Sequence, residues 1–305
     1  MGKMVHTRAL GAYLGFAIGD AMGATTEFMT PREIESRYGT LKQIVGGGWL
    51  GVKPGQVTDD TQMSLSLGQS IIDGGGFSLP RVADGFVQWM RSKPIDIGST
   101  VRRGIREYML QGQLESAESE FSAGNGGLMR NFPIALYCLK DWQHFAPMTL
   151  RQCHFTHNNF IADEITLMFG EVTRCLLETG DKLAALKLVS RFIIEHPKYS
   201  YSRYKGENSG YIVHTFKCIM HHFFDSTSFE ETIIRVVNQG GDADTNAAIA
   251  GILAGALYGV DSIPRRWRKK LDRAIAHEIH LQTDALLELP CVMLDDARTA
   301  DRASG

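Results

Sequence analysis

The chain has 305 residues, 44% of them hydrophobic, and sets 32 Lys+Arg against 34 Asp+Glu for a formal charge of −2. This supplies one large core and no global basic excess, which argues against a nucleic-acid partner. Five cysteines without a CxxC pair argue against zinc and disulfides, and neither a signal-peptide core nor the roughly 18 apolar residues of a membrane span is present, so the expectation is a cytoplasmic protein with no segment inserted in a bilayer.

The first predicted helix, 8–23, carries Gly11, Gly15, Gly19 and Gly23, a glycine at every fourth position and so on one stripe. Each costs a helix up to about 1 kcal/mol, which makes sense where a second backbone must approach closely. Thr30-Pro31-Arg32-Glu33 is a capping box with proline at the first helical position and Gly39 as its stop. Gly46-Gly47-Gly48 and Gly74-Gly75-Gly76 mark turns. Helical periodicity follows over 60–73, 79–92, 98–111, 131–139, 160–179, 181–195 and 208–223, with a polar loop over 111–125. Ser228-Phe229-Glu230-Glu231 opens a further helix that ends near Gly240. The apolar run 247–260 repeats the glycine device with Gly251, Gly255 and Gly259, and is expected to pack centrally against 8–23. A last helix is expected over 266–287, and the basic run 265–273 reads as a solvated helix face or as a docking site for an acidic partner. Strand alternation is nearly absent. The expected fold is all-α, one domain over 1–294 with a disordered tail over 295–305.

Two acidic clusters stand at the mouths of predicted helices: Thr58-Asp59-Asp60-Thr61 and Asp242-Ala243-Asp244-Thr245. One acidic residue at a helix start is ordinarily a cap. A cap needs a single oxygen acceptor, whereas each cluster offers at least three. Brought together, the four carboxylates repel unless a cation sits among them. Carboxylate and hydroxyl oxygens without His or Cys select Mg²⁺ or Mn²⁺ over zinc. Two such ions polarise substrate oxygens and activate a water.

Other residues carry two readings each. The loop 122–130 (SAGNGGLMR) presents successive N–H groups ahead of a helix, as a phosphate cradle or as a plain turn. Arg130 reads as a phosphate contact or a structural ion-pair partner. Glu27 and Asp96 are solvated end residues or acids poised over the cations. His157 is structural or catalytic, and Tyr211 stacks on a base or packs in the core.

In this order, 11–28 (GAYLGFAIGDAMGATTEF), TDDT at 58, GNGG at 124, TH at 156, GYIVHT at 210 and 240–259 (GGDADTNAAIAGILAGALYG) resemble the ADP-ribosylglycohydrolase family. The resemblance implies an orthogonal all-α bundle with a binuclear site for two divalent cations, Mn²⁺ before Mg²⁺. It places metal ligands on Thr58, Asp59, Asp60, Asp242, Asp244 and Thr245, and catalytic roles on Asp96, Glu27 and Asp60. It places the diphosphate loop on Ser122, Ala123, Gly124, Asn125, Gly126 and Gly127, with His157 and Tyr211 near the ADP-ribose. The implied reaction removes ADP-ribose from an arginine of a protein substrate. The bacterial branch it most resembles acts on the nitrogenase iron protein, which implies control by a PII-type signalling protein and recruitment to a membrane through that partner. Other linkages (serine, O-acetyl-ADP-ribose), a binuclear-metal nucleotide phosphohydrolase and a non-catalytic relative are the alternatives.

Overall fold

A computed structural model describes residues 2–294; the tail expected over 295–305 lies outside the described residues. Helices follow one another along the chain: α1 (Lys3–Gly23), α2 (Pro31–Tyr38), α3 (Asp59–Gly74), α4 (Leu79–Arg91), α5 (Ser99–Gln111), α6 (Gly126–Met129), α7 (Phe132–Tyr137) and α8 (Phe145–His154). After these come α9 (Phe160–Thr179), α10 (Lys182–Glu195), α11 (Ile212–Asp225), α12 (Phe229–Val237), α13 (Ala243–Tyr258), α14 (Arg265–Arg268) and α15 (Arg273–Glu288). Among the described residues there is no β-sheet, only isolated bridges such as Gly47–Val52 and Gly124–Tyr211. The fold is an all-α helical bundle.

Local chemistry sets the helix ends. The Thr30 box closes both ways, Glu33 N donating to Thr30 Oγ1 at 3.3 Å and Thr30 N to Glu33 Oε2 at 2.7 Å. At α12, Ser228 Oγ accepts from Glu231 N at 3.1 Å, but the Glu231 carboxylate reaches one residue further back, to Thr227 N. Two expectations differ from the structure. The helix over 208–223 begins only at Ile212, because Gly210 and Ala123 accept from Asn125 N and Ile212 N across the bridge to the glycine loop. The helix over 266–287 is broken into α14 and α15, since Asp272 restarts the backbone by accepting from Ala274 N at 2.8 Å and Ile275 N at 3.3 Å. The basic run is therefore no continuous solvated face, and Trp267 within it is fully buried. The helix expected ahead of Thr156-His157 is α8, with Pro147 in its first turn, where a missing N–H costs nothing.

α1 and α13 form the antiparallel centre of the molecule, with α3, α9, α11, α12 and α15 packed around them. Both are buried on every side over residues 9–23 and 243–256, so neither shows an amphipathic stripe. Their glycines are the reason they fit. A Cβ on Gly19 would stand 2.1 Å from Ala247 O, on Gly15 2.5 Å from Gly251 O, and on Gly255 2.1 Å from Gly11 O. No side chain is tolerated at such distances from a backbone. The propensity lost at each glycine is offset by dense backbone contact along the pair. Because the pair is antiparallel, the C-terminal end of α1 meets the N-terminal end of α13, Gly23 lying against Ala243.

Candidate active site

That meeting point assembles the site. Just beyond α1, Phe28 N donates to Gly241 O at 2.7 Å and Gly241 N to Met29 O at 2.9 Å, which ties Glu27 to the start of α13. Gly240 and Gly241 have positive φ, and a Cβ on Gly240 would lie 1.8 Å from Met29 O. Oxygens of Glu27, Asp242 and Asp244 come within 4.8 Å of one another, a group able to hold a metal ion. The other cluster joins them at the start of α3. Asp60 Oδ2 accepts from Thr245 Oγ1, 185 positions away, at 3.3 Å and lies 3.2 Å from Thr58 Oγ1, so one oxygen stands between the two clusters.

Capping does not account for the clusters, although Thr245 N donates to Asp244 Oδ1 at 2.9 Å in the first turn of α13. Thr58 and Asp242 occupy the N-cap positions of α3 and α13, and neither side chain makes a capping bond to a backbone N–H of its own helix. The cap of α3 comes instead from Asp20, inside α1. Its carboxylate accepts from Thr58 N at 3.0 Å, Thr58 Oγ1 at 2.9 Å, Thr61 N at 3.2 Å and Thr61 Oγ1 at 2.5 Å. Asp20 thereby frees Asp59 and Asp60 from local work and fixes them. Sequence reasoning missed it, although it is the one charged residue in the otherwise apolar run 9–23. A second missed residue is Trp49, whose indole Nε1 donates to Glu27 Oε2 at 2.6 Å.

The electrostatics suit a cation. Burial pushes Glu27 up to about 8, with Asp96, Asp242 and Asp59 adding to it against the Trp49 hydrogen bond. Burial, then Asp96, raises Asp59 to about 7, and burial raises Asp20 to about 6 against its hydroxyl donors. Asp60, Asp242 and Asp244 are raised first by burial, with neighbouring carboxylates adding to it. Asp60 Oδ1 is buried without a hydrogen-bond partner. Buried carboxylates that repel one another, an orphaned oxygen and an all-oxygen donor set fit a hard divalent ion.

A cleft of about 440 Å³ opens above this floor. Its lining includes Glu27, Asp59, Asp96, Asp242, Asp244 and Thr245 together with Gly124, Asn125, Gly126 and His157. Asn125 Nδ2 donates to Asp242 Oδ2 at 2.5 Å and so links the glycine loop to the acidic floor. Asp96 is half-buried, capped by Ile97 N at 2.7 Å. The rest of the loop turns elsewhere. Ser122 Oγ accepts from Arg103 at 3.3 Å, Ala123 is buried, and Gly127 lies against Cys153. Tyr211 stands beside the cleft, 40% exposed and edge-on to His214.

Arg130 does not line the cleft and makes no ion pair among the described residues. It is fully buried over the Phe86 ring and donates to Gln152 and, at 2.7 Å, to Thr156 Oγ1. The hydroxyl, accepting from Arg130, has its own proton to give to His157 Nδ1, 2.7 Å away. This assigns His157 as the neutral Nε2–H tautomer. Burial, with Arg130 and Arg103 nearby, holds it down to about 3. A Cβ on Gly126 would lie 2.6 Å from the His157 ring and one on Gly124 3.1 Å from it, so the glycines seat the imidazole against the loop.

The ADP-ribosylglycohydrolase family model matches residues 1–295. The chain is 46% identical over 288 residues to the ADP-ribosyl-[dinitrogen reductase] glycohydrolase of Rhodospirillum rubrum, covering 94% of this chain and 98% of that protein. It is 32% identical to an ADP-ribosylarginine hydrolase of Pseudomonas putida, over 90% of this chain and 76% of the relative. A solved ADP-ribosylglycohydrolase-related protein complex superposes with a TM-score of 0.84 at 32% identity, covering 94% of this chain and 99% of its own. No helix among the described residues is long and apolar enough to cross a membrane. On the full-length match, and on a cleft that sets an acidic floor against a glycine loop, the chain belongs to the ADP-ribosylglycohydrolase family.

Proposed function

We propose that this enzyme removes ADP-ribose from an arginine side chain of a modified protein, and that its site holds two divalent cations, Mn²⁺ or Mg²⁺. The observation that carries the reading is the Asp60 oxygen that stands between two distant clusters and joins them into one acidic floor facing the glycine loop. Thr58, Asp59, Asp60, Asp242, Asp244 and Thr245 would hold the ions, with Glu27 beside them. When bound, they supply Lewis acidity that fixes and polarises the ribose hydroxyls.

The chain's own groups do the rest. Gly124 and Gly126 receive the diphosphate, because Asn125 N is already engaged by Gly210 O at 3.0 Å. His157, neutral with a proton on Nε2, donates to an oxygen of the ADP-ribose. Bond cleavage builds oxocarbenium character at the anomeric carbon. Asp96 and Glu27 face that carbon as carboxylates that stabilise the charge. As the C–N bond breaks, its electron pair stays with the nitrogen and the substrate guanidinium leaves as neutral guanidine; the water that attacks the anomeric carbon gives its proton to one of these carboxylates, which passes it to the guanidine so that arginine leaves as its cation. The relatives named for dinitrogen reductase and for ADP-ribosylarginine support arginine as the linkage and a dinitrogen reductase as the protein substrate.

The test offers ADP-ribosylarginine and ADP-ribosylserine peptides side by side to the Mn²⁺-loaded enzyme. Faster release of ADP-ribose from arginine is expected. Preference for serine would overturn the arginine assignment.

A further inference from the structure

We propose that Phe28 and Trp49 form the wall that receives the cationic group beyond the ribose and so select the arginine linkage. The inference rests on the ADP-ribosylarginine reading above and names the residues that would enforce it. Trp49 lies at the tip of a short hairpin closed by Gly47 N donating to Val52 O at 2.7 Å and Val52 N donating to Gly47 O at 3.0 Å. The hairpin is pressed onto the segment after α1, since a Cβ on Gly48 would stand 2.1 Å from Ala24 O. The indole edge is pinned by its bond to Glu27, while 56% of the residue is exposed. Phe28 is 66% exposed, and its backbone is held at φ 61, in the left-handed region. For a bulky side chain that conformation is an outlier, and it persists only where the surroundings impose it. Here the imposing bond is Phe28 N to Gly241 O, the same one that seats Glu27 beside Asp242.

The two rings lie 5.2 Å apart at 49°, both on the wall of the cleft. The same pair also lines a second groove of about 490 Å³ that runs outward past Glu33, Ser36 and Arg37. They therefore stand between the ribose site and the surface over which a protein substrate continues. Glu27 and Asp96 line the same cleft, and among the described residues no lysine or arginine lines it. Aromatic faces backed by carboxylates attract a guanidinium through its charge and its plane. Free ADP-ribose and a serine-linked adduct bring no cation to that position.

The experiment compares the Mn²⁺-loaded wild type with W49A, W49F and F28A. It measures KM for an ADP-ribosylarginine peptide and Ki for free ADP-ribose as a competitive inhibitor. W49A and F28A are expected to raise KM about tenfold each while Ki stays within about twofold. W49F keeps the ring and loses only the indole N–H, so its KM returns toward the wild type while kcat falls through Glu27. An unchanged Ki also shows that each variant is folded around its site. Equal shifts in KM and Ki, or no shift in either, overturn the assignment. A wild type that releases nothing from the arginine peptide overturns the arginine reading and this inference with it.

Discussion

Alanine in place of Asp60 is expected to lower ADP-ribose release by on the order of a thousandfold or more. Asp60 is where the α3 and α13 clusters touch, through Thr58 Oγ1 at 3.2 Å and Thr245 Oγ1 at 3.3 Å. Its other oxygen is buried with no partner. A carboxylate kept in that position against burial and its acidic neighbours is held at a net cost to the fold. Its removal should leave the metal-stripped protein as stable as the wild type or more so, because one repelling charge is gone. The variant thus separates function from folding: unfolding midpoint preserved, turnover lost. Asp60→Asn keeps the shape and an acceptor for Thr245, and should lose activity as fully as alanine. Near-native turnover in the asparagine variant would show that the charge at 60 is not what the site uses.

The metal-stripped enzyme should lose stability as pH rises. Glu27 and Asp59 are raised to about 8 and about 7, above their ordinary values of 4.5 and 3.8. Between those limits the folded chain retains protons that the unfolded chain has released. More protons bound in the folded state means that stability falls as pH climbs, and the contribution is fully present only below the ordinary carboxylate range. Added Mn²⁺ should reverse the trend, since cations compete with those protons and bind more tightly at higher pH. At a free metal concentration a hundredfold above Kd, the gain is about 2.7 kcal/mol for each ion bound. Thermal unfolding from pH 5 to pH 8, with and without Mn²⁺, checks both arms. A stripped protein equally stable at both ends, with no response to Mn²⁺, would contradict the cation account.

The sequence made some of this legible and hid the rest for physical reasons. Glycines at 11, 15, 19 and 23 face glycines and alanines of α13 at distances where no Cβ fits, so a spacing of four residues was enough to read a backbone contact. The acidic clusters were readable because two carboxylates side by side exceed what a cap requires. Asp20 was not, since it caps a helix 38 positions further on, and no local pattern marks a side chain that serves a distant backbone. Trp49 was hidden in the same way: three glycines announce a turn, but not that its tip returns to Glu27. The break at Leu271 and Asp272 escaped periodicity because apolar residues on both sides continue the helical spacing. His157 was noticed as a lone histidine, whereas its tautomer depends on Arg130 and Thr156 and emerges only from their geometry.

The most direct measurement follows ADP-ribose release from an ADP-ribosylarginine peptide by enzyme stripped of metal with a chelator, then titrated with Mn²⁺. The account predicts no turnover until the ion is added, with activity rising to a plateau at two equivalents per chain. Full turnover by the stripped enzyme, with the chelator still in excess, would contradict it.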